Sequence, residues 1–216
     1  MRLLSRSVIA TLLVLQAGVL QALPNRFVEG IEYKLVLPVQ QTTAPTGKVE
    51  VVEVFWYKCP HCFNIENTLN SWLKNKPANV HFVRMPAQFN RNWEIHAAAF
   101  YTAEILGLVE KTHHALFKEI HTKHKKMATV DDLAAFYVKY GVTREKFMSV
   151  FNSFAVRSRK AHAKGMVQRY GAHSVPTFIV NGKYMTNEHM VGSKKELFEL
   201  IDILVEKESS KAVAKH

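Results

Sequence analysis

A β-branched, aromatic run that ends in a pair of cysteines constrains this chain more than any other feature. Val49-Glu50-Val51-Val52-Glu53-Val54-Phe55-Trp56-Tyr57 leads through Lys58 into Cys59-Pro60-His61-Cys62, and these are the only two cysteines in 216 residues. The run has the composition of a strand deep in a sheet. After Cys62 the period changes, and Phe63, Ile65, Leu69, Trp72 and Leu73 share a helical face that ends near Pro77. Pro60 falls in the first turn of that helix, where proline is tolerated, so the thiols sit at a strand-to-helix junction.

That position has chemical consequences. Unpaired N–H groups and the dipole at a helix N-terminus favour a thiolate, and His61 adds a donor or partial positive charge. Both lower the pKa of Cys59. A stabilised thiolate stabilises the reduced protein, which makes the disulfide the stronger oxidant. Other uses of the pair fit poorly. A closed zinc site needs further ligands of matching spacing, c-type haem attachment needs a histidine where Phe63 stands, and a structural disulfide this short restrains the unfolded chain little. The expectation is a redox-active pair with no metal and no cofactor.

The flanking sequence supplies context. Residues 1–22 read as a secretory signal peptide, with Arg2 and Arg6 before the apolar stretch Val8 to Leu20 and a cleavage site at Leu20-Gln21-Ala22. Export places the cysteines where disulfides persist. No later segment has the length and apolarity of a membrane span. The net charge is +11, of which the leader carries Arg2 and Arg6. The basic residues are scattered along amphipathic segments without a nucleic-acid motif, which reads as a solvated basic surface and no nucleic-acid partner.

Strands are expected at Tyr33 to Leu37, Val49 to Tyr57 and Val80 to Met85. From Trp93 to Tyr170 only helical stretches follow: Trp93 to Leu106, Val109 to His124, Val130 to Tyr140, Arg144 to Phe151 and Ala155 to Tyr170. Gly107 and Gly141 suit helix stops, and Thr129 and Thr143 suit caps. Thr177 to Val180 and Lys183 to Met185 then flank Asn181-Gly182, a strong hairpin signal. Ser193 to Glu196 forms a capping box that opens a last helix through Leu204. The fold class is α/β with a helical block of about eighty residues set inside it. His113, His114, His121 and His124 read as surface histidines of a helix.

Taken with Ser174-Val175-Pro176-Thr177-Phe178, about 115 residues beyond Cys-Pro-His-Cys, the chain resembles the DsbA family of periplasmic thiol:disulfide oxidoreductases in the thioredoxin superfamily. The match runs from about Phe27 to Leu204. The resemblance implies a thioredoxin-like fold with an inserted α-helical domain, divided as a thioredoxin-like unit of 23–90 and 165–207, a helical insertion of 91–164, and a frayed tail of 208–216. It implies that Cys59 is the exposed nucleophile, Cys62 its shielded partner, and His61, with Pro60, the residue between them that tunes the potential. Pro176 matches the family's cis-proline, and Val175 offers its backbone to an extended substrate. Glu53 falls where the family has a buried acid that relays protons to Cys62, with Arg84 as its basic partner. Two exposed charges on strand ends are the alternative for that pair. Lys58 departs from the family's usual small or aromatic residue, and either favours the thiolate further or is merely solvated.

The implied activity is a dithiol oxidase that passes its disulfide to reduced exported polypeptides in the periplasm, is reoxidised by a DsbB-like inner-membrane oxidase, and acts as a monomer. A disulfide isomerase or reductase of the same superfamily, and a non-catalytic peptide-binding module with a groove near Trp56 and Pro176, are the alternatives.

Overall fold

The computed structural model describes residues 26–213, so the expected signal peptide lies outside the described residues. Five strands form one mixed sheet: β1 (Lys34–Leu35), β2 (Val49–Phe55), β3 (Val80–Pro86), β4 (Thr177–Val180) and β5 (Tyr184–Thr186), in the order β1-β5-β4-β2-β3. Only β2 and β3 run parallel, and helix α1 (Pro60–Asn75) is the crossover between them. Every residue of β2 is buried, as its central place in the sheet requires.

Six further helices come before the last. They are α2 (Glu94–Ile105), α3 (Val109–His121), α4 (Val130–Val138), α5 (Arg144–Phe151), α6 (Phe154–Arg169) and α7 (Glu188–Val191), and α8 (Lys194–Val213) follows. The first five of these form the block between β3 and β4, so the chain has a thioredoxin-like sheet with a helical insertion. The alternation of β2 divides the core. Val49 and Val51 pack with Ile65, Leu69 and Trp72 of α1 and with Leu197, Ile201 and Leu204 of α8. Val52 and Val54 join the cluster that includes Ala99 and Phe100 of α2 and Val156 and Ala163 of α6.

Local signals account for most boundaries. Asn181 and Gly182 both have positive φ, at 52° and 63°, in a tight turn where the Lys183 N–H donates to the Val180 carbonyl at 3.0 Å and residues 181–183 separate the paired Val180 and Tyr184. Gly182 is also needed for space, because a Cβ there would lie 2.1 Å from the Gln40 carbonyl oxygen. Thr129, Thr143 and Ser153 each accept a backbone N–H at the start of α4, α5 and α6.

Several extents differ from expectation. The ladder of β2 stops at Phe55 rather than Tyr57, because the Trp56 carbonyl turns to accept the Cys59 N–H at 3.0 Å. The first strand is shorter than Tyr33 to Leu37, since Pro38 has no N–H with which to extend a ladder. Helix α3 ends at His121, three residues early, with Thr122 and Lys123 both donating to the Lys118 carbonyl. The frayed tail is corrected over its first residues. Helix α8 continues to Val213, and Glu208 accepts hydrogen bonds from Asn181, Lys183 and Tyr184, tying the helix to the hairpin turn.

Candidate active site at the Cys59–Cys62 helix start

Cys59 is the N-cap residue of α1, in extended conformation (φ −78°, ψ 117°), and Pro60 occupies the first turn. Its Sγ accepts the Cys62 backbone N–H at 3.4 Å and, as a thiol, donates to the Val175 carbonyl at 3.3 Å. Both cysteines are free. The Val175–Pro176 peptide bond is cis, and a second cis bond, Leu37–Pro38, had no sequence signal. Cys59 is less open than an exposed nucleophile suggests, with 7% of its surface accessible, yet Cys62 has none.

The two sulfurs are pushed apart chemically. The pKa of Cys59 is lowered from 9.0 to about 6, first by its hydrogen bond with the Cys62 side chain, against the cost of burial, then by the Cys62 and His61 backbone N–H groups and the charge of His61. Burial pushes the Cys62 thiol well above its ordinary value, and its bond to Cys59 and the charge of Glu53 add to this. At pH 7 the lowered pKa favours the reduced, folded form by about 1 kcal/mol after allowing for the solvent-facing side of the sulfur. This corresponds to roughly 20 mV towards oxidising power. Lys58 is not among the leading causes that shift Cys59, and its charge acts on His96 and Asp132. This favours the solvated reading of Lys58 over the thiolate-favouring one.

Beneath the pair lies a buried polar cluster. Glu53 and Arg84 face one another across β2 and β3, with Arg84 Nε 3.4 Å from Glu53 Oε2. Burial raises the Glu53 pKa from 4.5 to about 8; the Arg84 charge opposes this and Glu66 reinforces it. The sequence reading passed over Glu66, although its position on α1, one residue after Ile65 and three before Leu69, puts it on the inward face. It is fully buried and meets His113 Nε2 at 3.5 Å and His114 Nδ1 at 3.7 Å.

The surface assignment of the histidines is corrected at His113, while His114 and His121 are half-buried. His113 is buried and its Nδ1 lies 2.9 Å from the Tyr57 hydroxyl. Burial lowers its pKa to about 4, so it is neutral at pH 7. His114 faces Glu66, and His121 stacks on Phe63 and lies 2.8 Å from the Tyr57 carbonyl. Of the four, only His124 is exposed.

For Glu66, burial raises the pKa, but its contact with His113 and the nearby positive charges outweigh it and hold the group below its ordinary value. Among the groups that lower it, Arg84 carries the permanent charge. One potential ligand atom each from Glu53, Glu66 and His113 lies within 4.8 Å of the others. The Arg84 guanidinium is set against Glu53 in the same cluster, which thus gathers two carboxylates, an imidazole and a cation.

Flanking the cysteines, the Trp56 and Trp93 rings stack at 3.9 Å, and Trp56 Nε1 donates to His96 Nδ1 at 2.9 Å. Neutral His96, its pKa lowered by burial to about 4, donates its other nitrogen to the Met127 carbonyl at 2.8 Å. On the opposite side a cleft of about 570 Å³ is lined by His61, Val175, Pro176, Glu188 and His189, among others. A larger cleft of about 860 Å³ between the β1–β2 loop and α6 contains neither cysteine.

Comparison with known proteins agrees with this geometry. The family model of the DSBA-like thioredoxin domain matches residues 50–199. The chain is 43% identical over 184 residues to the thiol:disulfide interchange protein DsbA of Pseudomonas aeruginosa, with 85% of each chain covered. It is 34% identical to that of Burkholderia cepacia, over 95% of this chain and 99% of the relative. The crystal structure of Pseudomonas aeruginosa DsbA superposes with a TM-score of 0.81 at 42% identity, covering 88% of this chain and 97% of the other. That of the oxidoreductase DsbA from Xylella fastidiosa gives 0.77 at 33% identity, over 83% and 96%. A redox-ready cysteine pair on a thioredoxin-like sheet, carried in a chain with these relatives, has one reading: this chain belongs to the DSBA-like thioredoxin family of thiol:disulfide oxidoreductases.

Proposed function

We propose that the protein oxidises pairs of thiols in polypeptides, with Cys59 as the exchanging sulfur and Cys62 as the resolving one. The observation that carries this is the asymmetry of the pair: Cys59 is lowered to about 6 at a helix N-cap, and Cys62 is shielded and raised. A substrate thiolate attacks Cys59 Sγ of the disulfide, the S–S bond breaks, and Cys62 leaves with the electron pair and takes up a proton. A second substrate thiolate then attacks the substrate sulfur of the mixed disulfide. Cys59 leaves as a thiolate, and the substrate carries the new disulfide.

In this reading His61 and Pro60 set the helix start, and the Val175 backbone beside Pro176 pairs with an extended substrate. Glu53, with Arg84, supplies the proton to Cys62. The DsbA of Proteus mirabilis, 25% identical with a TM-score of 0.70, has been crystallised with the peptide PWATCDS, which carries a single cysteine. The cysteines themselves hold the two electrons, so no cofactor is invoked. Work in the periplasm on exported polypeptides, reoxidation by a DsbB-like membrane oxidase and a monomeric state complete the proposal. The thioredoxin-like unit is divided as 23–90 and 165–207 around the helical insertion 91–164.

Equilibration of Cys59/Cys62 against a glutathione buffer tests the direction. A potential well above that of thioredoxin, about −270 mV, is expected; a value near it overturns the oxidant reading. Cys59→Ser should abolish oxidation of a reduced peptide, and retention of activity would exclude the pair from the chemistry.

A further inference from the structure

Each cycle of the proposed reaction changes the protonation of Cys62, and the site has to exchange that proton with water. Cys62 and Glu53 have no accessible surface, so neither reaches solvent directly. The groups facing Glu53 come from three elements. Strand β3 contributes Arg84 at 3.4 Å, α1 contributes Glu66, and α3 contributes His113. His113 leads no further outward, because its Nδ1 is engaged by the Tyr57 hydroxyl and its side chain is buried. His121 is held by the Tyr57 carbonyl and stacked on Phe63. Glu66 Oε2, however, lies 3.7 Å from Nδ1 of His114, whose side chain is 35% exposed. His114 is where this cluster meets water.

A second observation concerns bonding. Glu53 Oε1 and Oε2, Glu66 Oε1, Arg84 Nε, His113 Nε2 and His114 Nδ1 are buried atoms without a protein hydrogen-bond partner. Buried polar groups kept for structure are ordinarily satisfied, and a run of open positions calls for a functional cause. Separations of 3.4 to 3.7 Å leave each group free to close on either neighbour as a proton moves.

We propose that Glu66 and His114 form the solvent end of the proton path that serves Glu53 and Cys62. When substrate sulfur bonds to Cys59 and the Cys59–Cys62 bond breaks, the electron pair goes to Cys62 Sγ, and Glu53 gives that sulfur its proton. His114 takes a proton from water and passes it to Glu66, and the proton from Glu66 refills Glu53. Reoxidation runs the path outward. The protonation states agree: Glu53, with its pKa near 8, holds a proton at pH 7, and Glu66 holds the negative charge that draws one in. Imidazole is the side chain suited to exchange protons with water at that pH. His114 touches no reacting sulfur and acts only through Glu66.

The inference rests on the Cys59/Cys62 assignment, and the test separates the two. Oxidised protein is reduced by dithiothreitol in stopped flow, in H₂O and D₂O across the neutral range, for wild type, His114→Ala and Glu66→Gln. Both variants should be slowed about tenfold at neutral pH, with an enlarged solvent isotope effect. Added imidazole should restore His114→Ala but not Glu66→Gln. The Cys59 pKa, read from thiolate absorbance, and the equilibrium potential of His114→Ala should match wild type. Wild-type rate and isotope effect in His114→Ala overturn the path, as does a slowed rate that imidazole does not restore. If the wild-type chain accepts no electrons at Cys59/Cys62, as judged by thiol alkylation, the underlying assignment falls and the path with it.

Discussion

The two ends of α1 are packed by opposite rules. The far end buries Leu69 and Trp72 among apolar residues of β2 and α8, and the polar atom carried into that packing is bonded, Trp72 Nε1 donating to Asp202 at 2.9 Å. The near end, which carries the cysteines, sets Glu66 against Glu53, His113 and His114, with separations of 3.5 and 3.7 Å to the two histidines and several buried atoms unbonded. One helix thus joins an anchor to a reactive site. The apolar end holds α1 on the sheet, so the near end can keep a cluster that contributes little to stability and much to the chemistry of the sulfurs.

The sharpest way to break this comparison is to damage the anchor. Leu69 is fully buried, and Leu69→Ala should cost about 2–5 kcal/mol in denaturant unfolding through lost burial and the cavity left behind. The Cys59 pKa should stay near 6 in the folded variant. A shift of a full unit would show that the two ends are mechanically coupled.

A smaller effect of opposite character is expected at the near end. The folded pKa of Glu53, about 8, lies above its ordinary 4.5, so the folded chain keeps a proton that the unfolded chain releases. Stability from this group is therefore greatest below about pH 4.5 and declines as pH rises towards 8. Glu53→Gln removes the decline. The variant should gain on wild type by on the order of a few kcal/mol between pH 5 and pH 8 in urea unfolding. His113, lowered to about 4, gives both proteins the reverse slope at acid pH, and the difference between them isolates Glu53. Parallel profiles would mean that Glu53 is ionised in its Arg84 pair at neutral pH.

What was legible in the sequence follows the same division. The strand running into Cys-Pro-His-Cys, the Asn181-Gly182 turn and the Thr129 and Thr143 caps depend on neighbours in the chain, and they appear where expected. The near-end cluster depends on partners far apart in sequence. Glu53 attracted notice because an acid is conspicuous in an apolar run, and the resemblance supplied Arg84. Glu66 was hidden among polar neighbours of an amphipathic helix, though it lies four residues after Cys62 and three before Leu69, which places it inward. His113 and His114 read as surface groups because the partner that draws them in, Glu66, sits on another helix. The hold of Glu208 on the hairpin turn was missed for the same reason, since a polar tail gives no sign of what lies opposite.

The smallest expected effect marks the outer limit of the near end. Lys58 directly precedes the nucleophile, and a cation there invites the view that it favours the thiolate. The leading contributions to Cys59 come from Cys62, the helix-start N–H groups and His61, whereas the charge of Lys58 acts on His96 and Asp132. A half-buried lysine facing solvent is screened, and proximity in sequence does not place its charge near the sulfur. Lys58→Ala should therefore leave the Cys59 pKa within about 0.3 unit by thiolate absorbance, and the potential within about 10 mV by glutathione equilibration. A rise of a unit in the Cys59 pKa would extend the reactive end of α1 one residue beyond the helix and return Lys58 to the site.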